Sequence, residues 1–368
     1  MSFAILGVGT ALPPTMVTQT EAMEVARIVC ARTDKQAALL PLFYRLTGIE
    51  KRHVIFQSAL VRDVLEGTAA TDSIFLPARA DDDRGPTTAE RMRYFAQEAG
   101  KLALPACRKC LDRANLQPSE LTHLITVSCT GFTAPGVDFQ LIQGLGLSPT
   151  IQRTHVGFMG CHGAFNGLRV ARGFAGTEPG ARILLCAVEL CSLHYHYGWD
   201  ADKMVGNALF ADGAAAVVGM DSAAAPGDAW RVTASGSCLF PDSAEDMTWT
   251  IGEHGFEMTL SARVPELIGQ QLRPWLEKWL AGQGFTLQQI GSWAIHPGGP
   301  RILTAIERAL GLSSDATAVS HDLLRSCGNL SSATVLFLLD RLRSQRAARP
   351  CVALGFGPGL VAEAMLLE

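Results

Sequence analysis

Val156-Gly157-Phe158-Met159-Gly160-Cys161-His162-Gly163-Ala164-Phe165-Asn166-Gly167 sets four glycines around one cysteine. Residues 151–156 before it form a short run with β-branched Ile151, Thr154 and Val156. After it, Ala164, Phe165, Leu168, Ala171 and Arg172 fall at helical spacing. The pattern predicts an extended segment that turns into a helix at Cys161. A thiol there meets unpaired backbone N–H groups and the positive end of the helix dipole. Both favour the thiolate, the nucleophilic form. Gly157, Gly160 and Gly163 permit unusual backbone angles and close approach of a substrate. A buried structural cysteine in a tight strand–helix join has the same local pattern. The rest of the chain has to separate the two readings.

The stretch has an echo. Leu116-Gln117-Pro118-Ser119-Glu120-Leu121-Thr122-His123-Leu124-Ile125 matches Phe285-Thr286-Leu287-Gln288-Gln289-Ile290-Gly291-Ser292-Trp293-Ala294, 169 residues later. Each is followed by a Pro-Gly turn and a helix ending in Leu-Gly-Leu. Gly160-Cys161 then returns as Gly328-Asn329, 168 residues on, and both pairs open a helix that leads to a strand, 182–188 and 350–356. The chain reads as a duplicated α/β unit with halves 1–222 and 223–368. Strands alternating with helices imply sheets covered on both faces. Halves packed about a pseudo-two-fold axis bring Cys161 and Asn329 to equivalent helix starts facing one site.

Around this frame, the first strand is expected to end at Gly7 and Gly9, and Leu12 breaks any dinucleotide-binding fingerprint. Helices are predicted over 18–31, 35–46, 138–145, 203–210 and 265–281, with irregular chain over 54–86. Thr87-Thr88-Ala89-Glu90 is a capping box that starts a long helix. Strands are predicted over 123–129, 212–218, 230–238 and 255–260. Cys107-x-x-Cys110 lacks the second pair a zinc site needs, and His194-Tyr195-His196 lacks a third ligand at a known spacing. The 368 residues, net charge −4 and 48% hydrophobic content provide for a large core and no basic nucleic-acid surface. No apolar run reaches the length of a membrane span. The first residues lack the basic segment of a signal peptide, and ten cysteines without such a segment suggest reduced thiols in the cytoplasm.

Two further stretches carry chemistry. Trp293-Ala294-Ile295-His296-Pro297-Gly298-Gly299-Pro300 ends a buried strand in a histidine. Cys327-Gly328-Asn329-Leu330-Ser331-Ser332-Ala333 puts an amide at a helix start, where Asn is also a common N-cap. Cys161, His296 and Asn329 together supply a nucleophile, a proton partner and a second donor.

With these residues and with Ala208-Leu209-Phe210-Ala211-Asp212-Gly213 and Gly355-Phe356-Gly357-Pro358-Gly359, nearly the whole chain resembles the type III polyketide synthases, the chalcone- and stilbene-synthase-like group of the thiolase superfamily. The resemblance implies a five-layer αβαβα fold, a homodimer, and decarboxylative condensation of malonyl-CoA on an acyl-CoA starter, with coenzyme A thioesters as substrates and no other cofactor or metal. It assigns Cys161, His296 and Asn329 to catalysis and Phe210 to the gate. It assigns Cys129, Thr130, Cys191, His194, Trp249, Met258, Ser331 and the loop Gly355, Phe356, Gly357, Pro358, Gly359 to the cavity. Arg45, Lys51 and Arg52 resemble the coenzyme A entrance. Cys129, Ala134, Cys191, His194 and Met258 depart from the plant pattern and resemble bacterial members. Cys129, Ala134, Cys191 and Met258 are small or adaptable apolar groups that suit an aliphatic starter and an alkylpyrone or alkylresorcinol product. Trp249 is large enough to close such a tunnel. The alternatives are a β-ketoacyl-acyl carrier protein synthase III, whose histidine sits in a different context, and a non-catalytic thiolase-fold partner.

Overall fold

The computed structural model describes residues 2–78, 80 and 82–368. The first half runs β1 (Phe3–Ala11), β2 (Thr15–Thr18), α1 (Gln19–Val29), α2 (Asp34–Arg45), β3 (Lys51–Val54), α3 (Ser58–Glu66), α4 (Thr88–Ala114), β4 (His123–Ser128), α5 (Val137–Leu145), β5 (Gln152–Gly157), α6 (Gly163–Thr177), β6 (Arg182–Leu190), α7 (Ala201–Leu209) and β7 (Asp212–Asp221). The second runs β8 (Trp230–Leu239), β9 (Met247–Gly252), β10 (Gly255–Leu260), α8 (Val264–Ala281), β11 (Ser292–Ile295), α9 (Pro300–Leu310), α10 (Ala318–Cys327), α11 (Thr334–Ser344), β12 (Cys351–Gly357) and β13 (Val361–Leu367).

The large strands lie in the order β11-β12-β13-β8-β1-β7-β6-β4-β5. The order is itself a duplication. In one half β4 runs parallel to β6, and β7 and β1 follow antiparallel. In the other, β11 runs parallel to β12, and β13 and β8 follow antiparallel. The halves join where β1 pairs with β8 over three residues, Phe3 to Ile5.

Strands buried on both faces read as continuous apolar runs because alternate side chains enter different cores. Ile183, Leu185 and Ala187 of β6 face a central core with α6 and α11, while Leu184, Cys186 and Val188 face an outer core with α1 and α4. Cys351 and Ala353 of β12 face the same central core, and Val352, Leu354 and Phe356 face the opposite outer core with α8 and α9. Helix, sheet, central helices, sheet and helix make the five layers of a thiolase-like fold.

Four local readings change. Gly7 and Gly9 lie inside β1, not at its end, because α4 packs against the strand so closely that a Cβ at either would overlap the Cys110 or Ala106 carbonyl. Residues 58–66 form α3. The hairpin partner β9 stands before β10, and α10 precedes Asn329. The long helix begins as expected: Thr87 Oγ1 accepts from the Glu90 N–H, and Glu90 accepts from the Thr87 N–H at 2.8 Å.

Candidate active site

The two echoing turns meet at the centre of the molecule. Cys161 lies in a single 3₁₀ turn, Gly160–His162, that runs into α6. Gly160 is required there: its φ is +74°, and a Cβ would overlap the Pro358 ring. Cys129, at the end of β4, clasps the same residue twice. Its Sγ accepts from the Gly160 N–H at 3.0 Å and donates to the Gly160 carbonyl at 3.2 Å. Asn329 precedes the corresponding turn, Ser331–Ala333, at the start of α11. Its backbone pairs with the end of α7: Asn329 N–H donates to the Leu209 carbonyl, and Ala211 N–H donates to the Asn329 carbonyl, both at 2.9 Å. Phe210 is thereby fixed beside it.

The Asn329 side chain caps its own turn. Oδ1 accepts from the Ser331 N–H at 2.9 Å, which holds Ser331 at φ +49° and leaves the amide NH₂ to donate elsewhere. Burial pushes the Cys161 thiol up to about 12, and the neighbouring Ser331 and Asn329 side chains offset part of that rise.

His296 follows β11, and its N–H donates to the Leu354 carbonyl at 2.8 Å. Its ring is fully buried, and neither ring nitrogen has a hydrogen-bond partner among the described residues. Burial, with the neighbouring His162 ring, pushes it down to about 3. His162 Nδ1 in turn donates to Asn166 Oδ1 at 2.9 Å. Neither Cys161 nor His296 therefore ionises on its own.

One residue escaped the sequence reading. Glu189 is fully buried in β6, and its carboxylate accepts from Cys129 N–H at 3.0 Å, from Thr130 Oγ1 at 2.7 Å and from Ser332 Oγ. It ties the end of β4 to the turn that carries Asn329, and burial raises it to about 7. A charged residue inside the apolar run RILLCAVEL was the available signal.

Cys161 lies on the wall of a cavity of about 480 Å³. Of the expected lining residues, Cys129, Thr130, Cys191, His194, Phe210, Trp249, Met258, Ser331 and Pro358 face it. His194 is a fixed wall. Nε2–H donates to the Thr130 carbonyl at 2.8 Å, Nδ1 accepts from the Phe256 N–H at 2.9 Å, and the ring stacks on Phe256 at 4.1 Å. Burial pushes it down to about 3, so it stays neutral. Trp249 stands edge-on to His194 at 5.7 Å, and its indole N–H donates to the Cys129 carbonyl at 2.8 Å.

Other expected residues lie elsewhere. Gly355 and Gly357 press against Phe165 and His162 at the start of α6, Gly359 lies by Leu239, and Phe356 packs on Phe240 in the outer core. Pro358 alone of that loop reaches the cavity. Ala134 is exposed between β4 and α5. The basic cluster is split, because β3 alternates its faces. Arg45 and Lys51 are exposed, whereas Arg52 is buried and donates through Nη1 to the Asn207 and Phe210 carbonyls. The face of α2 beside Arg45 carries exposed Leu39, Leu42 and Leu46.

Two family models match: the N-terminal domain of chalcone and stilbene synthases over residues 2–222 and the C-terminal domain over residues 231–368. The alpha-pyrone synthesis polyketide synthase-like protein of Mycobacterium tuberculosis is 31% identical, covering 97% of this chain and 92% of its own. The 1,3,6,8-tetrahydroxynaphthalene synthase of Streptomyces peucetius is 32% identical, over 99% and 93%. The crystal structure of PKS-I from the brown alga Ectocarpus siliculosus superposes with a TM-score of 0.90 at 29% identity, covering 100% of this chain and 98% of that one. The chain belongs to the chalcone and stilbene synthase family and is a type III polyketide synthase, an acyl-transferring enzyme.

Proposed function

We propose that Cys161 carries the acyl chain, that His296 takes its proton, and that His296 and the Asn329 NH₂ stabilise the enolate formed from malonyl-CoA. Burial penalises a lone thiolate or a lone imidazolium. Moving the proton from Cys161 to His296 creates both charges together, so each offsets the other's burial. The thiolate attacks the starter thioester, the carbon–sulfur bond to coenzyme A breaks, and the acyl group stays on Cys161. Malonyl-CoA then loses carbon dioxide. Its enolate carbon attacks the acyl carbonyl and the thiolate leaves, giving a β-ketoacyl-CoA two carbons longer. The enolate oxygen receives donors from His296 and Asn329, aimed where charge develops. Phe210, fixed beside Asn329, excludes water from this step.

In this reading residues 1–222 carry the nucleophile and 223–368 the two donors. The substrates are an acyl-CoA and malonyl-CoA, the protein holds no resident cofactor, and two copies form a cytoplasmic homodimer. No helix among the described residues is long and apolar enough to cross a membrane. The observation that carries the functional reading is Cys161 on the wall of a cavity that also presents Cys129, Cys191 and Met258. We take the starter to be a medium- or long-chain fatty acyl-CoA and the product an alkylpyrone or alkylresorcinol. Each buried methylene gains about 0.8 kcal/mol. The test is kcat/KM across acyl-CoA starters from C2 to C16 with products identified by mass spectrometry. The expected result is a rise with chain length through C8. A fall beyond C6 would contradict the medium- or long-chain starter.

A further inference from the structure

The cavity extends beyond the residues expected to line it. From Cys161 it continues between α1 and α3, where Ala22, Val25, Val29, Leu60, Val64 and Phe75 form its wall. Ala22, Val25 and Val29 are spaced along one face of α1, and Leu60 and Val64 lie four apart on α3, so the two helices present apolar stripes to one space. The hydroxyls that border this arm are already used. Tyr197 Oη donates to the Phe75 carbonyl at 2.6 Å, Tyr195 Oη pairs with Tyr44 Oη at 3.2 Å, and Ser192 Oγ bonds Asp212. A phenolic starter placed there would meet only hydroxyls already engaged with protein partners, whereas an alkyl chain would forfeit nothing. The opposite wall is closed. Trp249 is held by its bond to the Cys129 carbonyl and stands against His194, whose two ring nitrogens are both committed.

We infer that the alkyl end of the starter lies in the arm between α1 and α3, not in a tunnel past Trp249, and that this arm sets the accepted chain length. The inference rests on the alkyl reading above and adds the place where the chain is held. Substitutions Val25→Phe and Ala22→Phe fill the arm from the same face of α1, and Trp249→Ala opens the opposite wall. The readout is the ratio of kcat/KM for dodecanoyl-CoA to that for butanoyl-CoA, with Tm measured for each variant. The ratio should fall at least about tenfold in each plugging variant that keeps the wild-type Tm, the effect of displacing two buried methylenes. It should move less than about twofold in Trp249→Ala. An unchanged ratio in a well-folded plugging variant overturns the inference, as does a tenfold rise in Trp249→Ala. Val25→Phe, at a half-buried position, keeps the test available should Ala22→Phe fail to fold. A wild-type ratio below one sinks the alkyl reading, and this inference with it. A ratio above one that only Trp249→Ala alters leaves that reading standing and removes this one.

Discussion

The two halves reach the site by different routes. In the first half a strand, β5, leads into the turn that carries Cys161; in the second a helix, α10, leads into the turn that carries Asn329. The segment after β6, from Cys191 to Phe210, builds much of the cavity wall, whereas β12 returns to β13 through the short turn around Pro358 and Gly359. The two turns are also held differently. A glycine at positive φ, clasped by a thiol, holds the first. A side-chain cap and a non-glycine residue at positive φ hold the second. The two helix starts still face one site, but the first half supplies most of the chamber wall, and Trp249, Met258, Ser331 and Pro358 of the second half complete it.

The largest effect that tests this contrast is on the donor. Asn329→Ala should reduce malonyl-CoA decarboxylation and chain extension by about 10²–10³, the usual loss of one such donor, with a smaller effect on starter acylation of Cys161. Carbon dioxide release and intact-protein mass spectrometry measure the two steps separately. Equal losses in both would make Asn329 a structural cap and no more.

The glycine turn comes next. Gly160→Ala places a Cβ into Pro358 at a φ that L-residues avoid, and should destabilise by about 1–3 kcal/mol. Gly173 offers the contrast: it is exposed on α6, and an added methyl group would meet nothing within 4 Å. Gly173→Ala should stabilise by about 0.5–1 kcal/mol. Urea denaturation of both variants checks the pair, and similar signs would mean that strain at the Cys161 turn is not what distinguishes it.

A third contrast concerns the carboxylate that bridges the halves. Glu189 keeps its proton to about pH 7 when folded, against 4.5 as its ordinary value. Between those values the folded state binds more protons than the unfolded state, so this group's contribution to stability falls as pH rises through the window and levels off above it. Glu189→Gln removes that slope. The wild type should lose more Tm between pH 5 and pH 8 than the variant does, and a variant that loses as much would show that Glu189 is ionised throughout.

Much of the frame was legible because duplication leaves a periodic signal. Strands buried on both faces read as apolar runs, and the box at Thr87 and Glu90 marked the longest helix. The missed helices lacked such marks. Neither Gln57 before α3 nor Thr317 before α10 makes a side-chain cap bond. Gly7 and Gly9 resembled a turn because close packing against a helix and a sharp bend both call for glycine. Arg52 and Lys51 resembled one cluster because adjacency in sequence hides the alternation of a strand, and Phe356 resembled a cavity residue for the same reason. Glu189 stood in plain view within an apolar strand, but its partners come from β4 and from the other half, which no local pattern reveals.

In the proposed mechanism Cys161 and His296 ionise as a pair. The direct measurement is the rate of Cys161 alkylation by iodoacetamide from pH 5 to pH 10, read on the Cys161 peptide by mass spectrometry, in the wild type and in His296→Gln. In the wild type, alkylation should already be near its plateau at pH 7. In the variant no imidazole can take the proton and burial still opposes the thiolate, so the rate should be far lower at pH 7 and still climbing at pH 10. Superimposable profiles for the two proteins would mean that His296 does not take the Cys161 proton.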